Sequence, residues 1–244
     1  MKKSKFTSFL LYSLREVLLV VIGILIAVNI NNWNKNKENR KEEIVLLKQL
    51  LKEQKEDHKQ LKVLTSWHES IHLGLLRWME MMSNPPDQIS NDTIANYMSL
   101  LGWVPEYRPK LGVLNSTISS GKISLISNDS LVLRISSWDG LLNDYYIYTN
   151  SIKMNTENVI TPFFIKNFSY RAFHFQGWTD DGETAFKIDY KSLLKSREIE
   201  SMTSLKRIDS EQAYRAARDL SMLQEEIIRL IDVHLRNLSK EYAN

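Results

Sequence analysis

One uncharged apolar stretch constrains this chain more than any other feature. From Val17 to Asn34 it reads Val-Leu-Leu-Val-Val-Ile-Gly-Ile-Leu-Ile-Ala-Val-Asn-Ile-Asn-Asn-Trp-Asn, without a single Asp, Glu, Lys or Arg. At ~1.5 Å per helical residue, ~18 residues cover ~27 Å, close to the ~30 Å hydrocarbon thickness of a bilayer. Only a helix satisfies its own backbone polar groups in lipid, so the stretch predicts a membrane-spanning helix. Trp33 stands where an aromatic belt residue belongs, at the bilayer–water boundary. A cleaved signal peptide would share the basic start Lys2, Lys3 and Lys5, but it needs small residues at the cut. The exit Ala27-Val28-Asn29-Ile30-Asn31 puts asparagine there instead. A buried core helix would more often carry a polar stripe at helical spacing. The expectation is an uncleaved signal anchor.

The chain then divides into a short tail and interfacial segment over 1–16, a transmembrane helix over 17–34 and an extramembrane helical domain over 35–244. Lys2, Lys3, Lys5 and Arg15 flank one side of the span, and Lys35, Lys37, Arg40 and Lys41 flank the other. Counting basic residues alone gives a near tie. A short basic tail before a single span is the usual signal-anchor layout, so the N-terminus is expected in the cytoplasm. With only about sixteen residues ahead of the span, a receptor with output on that side is disfavoured. Glu16 beside Arg15 reads as an interfacial pair rather than an intramembrane proton site. Asn29, Asn31 and Asn32 suit either interface water or a neighbouring span.

Lys and Arg number 32 against 29 Asp and Glu, so a net charge of +3 is nearly balanced. No basic block interleaved with aromatics stands out, which argues against nucleic acid as a partner. The absence of cysteine leaves the redox compartment open. A mean hydropathy of -0.31 with the span included describes an ordinary soluble-type remainder. With 8 glycines and 5 prolines, that remainder favours long helices over a turn-rich β architecture.

The pattern agrees. Leu47, Leu50, Gln54, Asp57, Leu61, Leu64, His68, Ile71, Leu75, Trp78 and Met82 recur in steps of three and four, with Gln54 and Asp57 as a polar interruption. Nothing between Trp33 and Lys41 breaks a helix, so the span is expected to run on as one rod until Asn84-Pro85-Pro86-Asp87. A short helix follows over 92–101, then an irregular stretch around Pro105 and Pro109. A further helical block begins near Lys110, pauses at Ser119-Ser120-Gly121 and resumes after Ser127-Asn128-Asp129. Leu131, Ile135, Trp138, Leu142, Tyr145 and Ile152 line one face of it, and Pro162 marks a kink or an end. Alternation at Phe173 and Phe175, and at Phe186, Ile188 and Tyr190, suggests a small β-hairpin near 170–190. Asp209 and Gln212 form a capping-box pattern ahead of a last helix with the seam Ala217, Leu220, Gln224, Ile227, Ile231, His234 and Leu238. Each seam is too narrow to stand alone in water, so they are expected to bury against one another. The fold class is mainly α: one N-terminal transmembrane helix continuing into a bundle of long helices.

The span with its flanks, Arg15-Glu16-Val17 through Ile22-Gly23-Ile24-Leu25-Ile26-Ala27 to Ile30-Asn31-Asn32-Trp33-Asn34, resembles the N-terminal signature of a bacterial family of uncharacterised single-pass membrane proteins. Ser119-Ser120-Gly121 through Leu125-Ile126 to Asn128, then Leu133-Arg134 and Tyr145-Tyr146, is similar to a second stretch of the same family. The resemblance supports the anchor and the helical domain, in a bacterial inner membrane; the signal-anchor layout then puts the C-terminal domain on the outer, periplasmic side. The resemblance brings no activity with it.

One catalytic pattern has to be weighed. His68-Glu69-Ser70-Ile71-His72 fits H-E-x-x-H, in which two histidines one turn apart bind zinc and the glutamate activates water. Against it, the motif lies in a long amphipathic rod and lacks an assigned third ligand, Glu106, His174 and His234 being the candidates. His68 also falls on the apolar seam, where a hydrogen-bonded core histidine is the ordinary outcome. Trp67, Trp78, Trp103, Trp138 and Trp178 read as core, with a carbohydrate or peptide groove as the alternative. Asp180-Asp181-Gly182-Glu183 lacks the alternating spacing of a calcium loop and reads as a turn. No cofactor fingerprint is present. The sequence therefore predicts a membrane-anchored binding or scaffolding protein, working on a protein partner or on its own copies through helix seams. A zinc-dependent metallopeptidase acting through His68, Glu69 and His72 is the alternative.

Overall fold

The long rod is real. In a computed structural model, which describes residues 3–173 and 184–241, helix α1 runs unbroken from Lys3 to Ser83, 81 residues. Its last backbone bond is Asn84 N–H to the Glu80 carbonyl at 2.9 Å, after which Pro85 and Pro86 have no N–H to continue the ladder. Helix α2 (Asn91–Gly102) follows, its first turn closed by the Ser90 hydroxyl accepting from Thr93 N–H at 3.1 Å.

Residues 103–111 are non-helical and act as a strap. The strap starts at Trp103, whose ring lies 5.6 Å from that of Trp67, and ends where the Glu53 carboxylate accepts from Val113 and Leu114 N–H at 2.8 and 2.9 Å. From Trp67 back to Glu53 is ~21 Å of helix, a distance nine extended residues cover readily. The chain thus returns along α1 before helix α3 (Gly112–Ser119) begins, capped by a carboxylate from another helix rather than by its own sequence. Gly121 closes α3 at φ 73, the left-handed backbone that glycine adopts without strain. After a single 3-10 turn (Lys122–Leu125), Asn128 caps helix α4 (Asp129–Asn155) by accepting from Leu131 N–H at 3.0 Å.

The helical run does not end at Pro162. A π turn (Thr156–Ile160) widens the backbone just ahead of it, and α5 (Thr161–Asn167) continues with proline in its first turn, where the missing N–H costs nothing. The hairpin expected near 170–190 falls mostly on residues 174–183, outside the described residues. On either side stand a 3-10 turn (Tyr170–Ala172) and the short helix α6 (Tyr190–Leu193), and no strand occurs among the described residues.

The last helix, α7 (Arg197–Glu241), starts twelve residues before the expected capping box. Ser196 caps it instead, accepting from Ile199 N–H at 3.3 Å, while Asp209 faces α4 and accepts from Ser151 and Asn155 at 2.9 and 2.7 Å. Cross-links fix the directions: Gln54 meets Gln224 and Glu69 meets Tyr214, so α7 runs antiparallel to α1. Glu43 meets Ser127 and His68 meets Tyr145, so α4 runs parallel to it.

The expected seams do bury against one another. Leu47, Leu50, Leu61 and Leu64 of α1 pack with Leu131, Ile135, Trp138 and Leu142 of α4 and with Leu220, Ile227 and Ile231 of α7. A second apolar cluster at the other end joins Ile71, Leu75 and Trp78 to Ile94, Met98 and Leu101 of α2, and to Phe164, Phe173, Ile199 and Met202. Among the described residues, those from Leu14 to Trp33 of α1 take part in neither.

Candidate functional site

Between the two apolar clusters lies a polar layer. His68 from α1, Thr149 from α4, Thr156 from the π turn and Thr203, Lys206 and Ser210 from α7 are all buried there. Lys206 is fully buried, and its Nζ donates to the Trp103 carbonyl at 2.8 Å and to Thr156 Oγ1 at 3.1 Å. Burial pulls its ammonium down to about 7, with the nearby Asp209 acting in the opposite sense. His68 Nε2 meets the Tyr145 hydroxyl at 3.1 Å, and burial, then the charge of Lys206, pulls its imidazole down to about 4.

The sequence motifs do not single out Lys206, although its periodicity carries a signal. Stepping the α7 seam backwards from Ala217 in threes and fours gives Ala213, Ser210, Lys206, Thr203 and Ile199, all of them buried. A lysine on an apolar seam is the kind of exception that marks either a pairing or a site.

Above this layer opens a groove of about 810 Å³, lined by Trp67, Trp103, Pro105, Glu106, Arg108, Lys153, Thr156 and Glu157 among others. Its walls come from α1, the strap and the C-terminal end of α4 with its π turn. The two tryptophan rings are tilted at 43° to one another, and Trp67 keeps 43% of its surface exposed. At the mouth Glu106 pairs with both Arg108 and Lys153. The side-chain hydrogen bond from Arg108 is the main reason the Glu106 carboxyl lies below the usual carboxylate range. Of the tryptophans read as core, Trp78 and Trp138 are fully buried, Trp67 and Trp103 line the groove, and Trp178 lies outside the described residues.

The H-E-x-x-H side chains are engaged elsewhere. His68 bonds Tyr145 as described, Glu69 accepts from the Tyr214 hydroxyl at 3.0 Å, and the His72 ring stacks on Tyr214 at 12°. Of the third-ligand candidates, Glu106 sits at the groove mouth and His234 donates to Glu43, while His174 lies outside the described residues. Among the described residues no three His, Cys, Asp or Glu side chains come together in a group that could hold a metal ion. The turn read at 180–183 also lies outside them.

A second buried cluster ties together the end of the bundle nearest the apolar segment. Glu43, almost fully buried, accepts from Ser127 N–H at 2.7 Å, the Ser127 hydroxyl at 3.0 Å, His234 Nε2 at 2.8 Å and Arg40 at 2.6 Å. Burial alone would raise its carboxyl, but these four donors outweigh it and hold it below the usual value. Arg15, Glu16, Asn29, Asn31 and Asn32 are exposed.

No curated protein and no solved structure gives a significant match to the chain. A family model does match, from Glu16 just ahead of the apolar segment, through α2, α3 and α4, to the π turn. On that match over residues 16–159, the chain belongs to DUF6090, a family of unknown function.

Proposed function

We propose that this protein is a membrane-anchored scaffold: residues 17–34 cross the bilayer, and α1 carries the helical bundle away from the surface as one continuous rod. The observation that carries the reading is exposure. The most apolar 18-residue window of α1 has no residue buried, and Val17, Leu19, Ile24 and Ile30 all lie outside the bundle. A helix of a soluble core turns such residues inward, whereas a span presents them to lipid. Lys37 over the Trp33 ring, 5.3 Å from its centroid, suits an interfacial belt where the rod leaves the membrane.

In this reading the chain sits in the inner membrane of a bacterium, N-terminus in the cytoplasm and bundle on the periplasmic side. Its partner is a protein or a second copy of the chain. The seams are occupied by packing within the chain, so the partner meets the exposed faces of the bundle or the asparagine-bearing face of the span. The chain should stay with membranes through alkaline carbonate washing. A reporter active only after export, fused after Asn244, should be active. Release by carbonate, or activity from a cytoplasm-only reporter at that position, would overturn the anchor or its orientation respectively.

A further inference from the structure

The hydrogen-bond partners of Lys206 carry no charge to oppose its own. Its ammonium is fully buried, yet the groups it donates to, the Trp103 carbonyl and the Thr156 hydroxyl, are both neutral. Asp209, one helical turn further along α7, gives its Oδ2 to Ser151 and Asn155 instead. Burying an ammonium without a hydrogen-bonded counter-charge is costly, which is why Lys206 is pulled down to about 7 despite Asp209, and an anion placed beside it would favour the charged form. The third N–H of Nζ has no acceptor among the described residues.

Both acceptors are wall residues of the 810 Å³ groove, so the ammonium lies directly behind its surface. Thr156 begins the π turn, a widening of helical backbone that is frequent at functional sites. Trp67 and Trp103 on its walls pack ring to ring, tilted at 43° with centroids 5.6 Å apart, and Trp67 keeps 43% of its surface exposed. Glu106 and Glu157 on the walls are balanced by Arg108 and Lys153, which pair with Glu106, so the buried ammonium behind the wall is the charge left for a ligand to answer.

We propose that this groove is a binding site for a flat, apolar monocarboxylate, its carboxylate opposing the Lys206 ammonium beside Thr156 and its ring system lying against Trp67 and Trp103. One buried cation matches one negative charge, and the tryptophan faces match a planar body. The pocket has the mixed character of small-molecule sites, apolar walls with a few convergent polar groups. The proposal stands independently of the membrane reading.

The test is a calorimetric titration of the full chain in detergent with 2-naphthoate, against the neutral 2-naphthalenemethanol in the same detergent. One-site, saturable binding of the naphthoate is expected, at least about tenfold tighter than the alcohol. Lys206→Met should erase that preference, and Trp67→Ala should weaken both probes together. Equal affinities for the two probes, no saturable heat, or naphthoate binding unchanged in Lys206→Met would each overturn the site. Should Lys206→Met fail to fold, the exposed Trp67→Ala decides: unchanged naphthoate affinity in that variant also overturns it.

Discussion

Gln224 Nε2 donates to Gln54 Oε1 at 3.1 Å inside the core, where both side chains are buried and α1 and α7 cross at this height. The bond links residues 170 positions apart in an otherwise apolar cluster. Its value is asymmetric. Gln54→Leu strands the Gln224 amide, a buried donor without water, and should cost ~1–3 kcal/mol. Replacing both by leucine removes donor and acceptor together and should recover most of that loss. Chemical denaturation of the two single variants and the double variant measures the coupling. A double variant as unstable as the sum of the singles would show that the pair holds shape rather than a bond.

Gly121 separates backbone strain from packing. It sits at φ 73, and a Cβ built on it meets nothing within 4 Å. Gly121→Ala should therefore lose ~1–2 kcal/mol from the left-handed conformation alone. Gly121→Asn should lose less, since asparagine tolerates that region. Equal losses in thermal melts of the two variants would mean the turn rearranges rather than bearing the strain.

Much of the bundle was written in its periodicity. Every position from Leu47 to Trp78 on the α1 seam is buried, as is the Leu131–Ile152 face, because helical burial follows a local repeat that composition cannot hide. Partners were another matter. Gln54 and Asp57 were visible as interruptions, but that Gln224 and the Lys110 backbone N–H answer them depends on the strap and on α7 crossing the same height. The start of α7 was misread because Asp209 and Gln212 make a good capping pattern, while Asp209 in fact serves Ser151 and Asn155. Lys206 was hidden by chemistry: a lysine next to Arg207 reads as solvated surface until the seam is traced back through it.

Truncations along the seams should separate core from surface. Leu64 and Ile231 are buried, and cutting either to alanine leaves a cavity as well as losing transfer energy, ~2–5 kcal/mol each. Lys59 is exposed, and Lys59→Ala should cost under ~0.5 kcal/mol. Thermal unfolding of the full chain in detergent provides the comparison. If Leu64→Ala and Ile231→Ala melt like the parent while self-association falls, these residues face a partner and the bundle packing is wrong.

Acid should unfold this protein in two separable windows, one for each buried cluster. His68 titrates at 6.5 when unfolded and at about 4 in the fold, so between those values the unfolded chain takes up a proton that the folded chain refuses. Stability is then lost as pH falls through that interval, by roughly 3 kcal/mol at ~1.4 kcal/mol per unit. Glu43 starts lower. Its folded carboxyl lies below the ordinary 4.5, so its contribution is complete above that value and disappears as pH drops through the folded titration. Asp57, raised by burial and by the charge of Glu53 despite the Lys110 N–H, works in the opposite sense, and Lys206 at about 7 and the lowered carboxyls of Glu106, Glu198, Glu211 and Glu225 add their own slopes to the parent curve. Variants resolve them. His68→Gln keeps a polar group toward Tyr145 but cannot titrate, so its stability should be flat between about pH 6.5 and 4 relative to the parent. Glu43→Gln should be less stable at neutral pH, because an amide N–H₂ must face the donors of Ser127, His234 and Arg40, and it should lose the lower window only. Denaturant midpoints of the three proteins from pH 3.5 to 7.5, read as ~1-unit steps, give the slopes. An unchanged upper slope in His68→Gln would assign that window to some group other than the buried histidine beside Lys206.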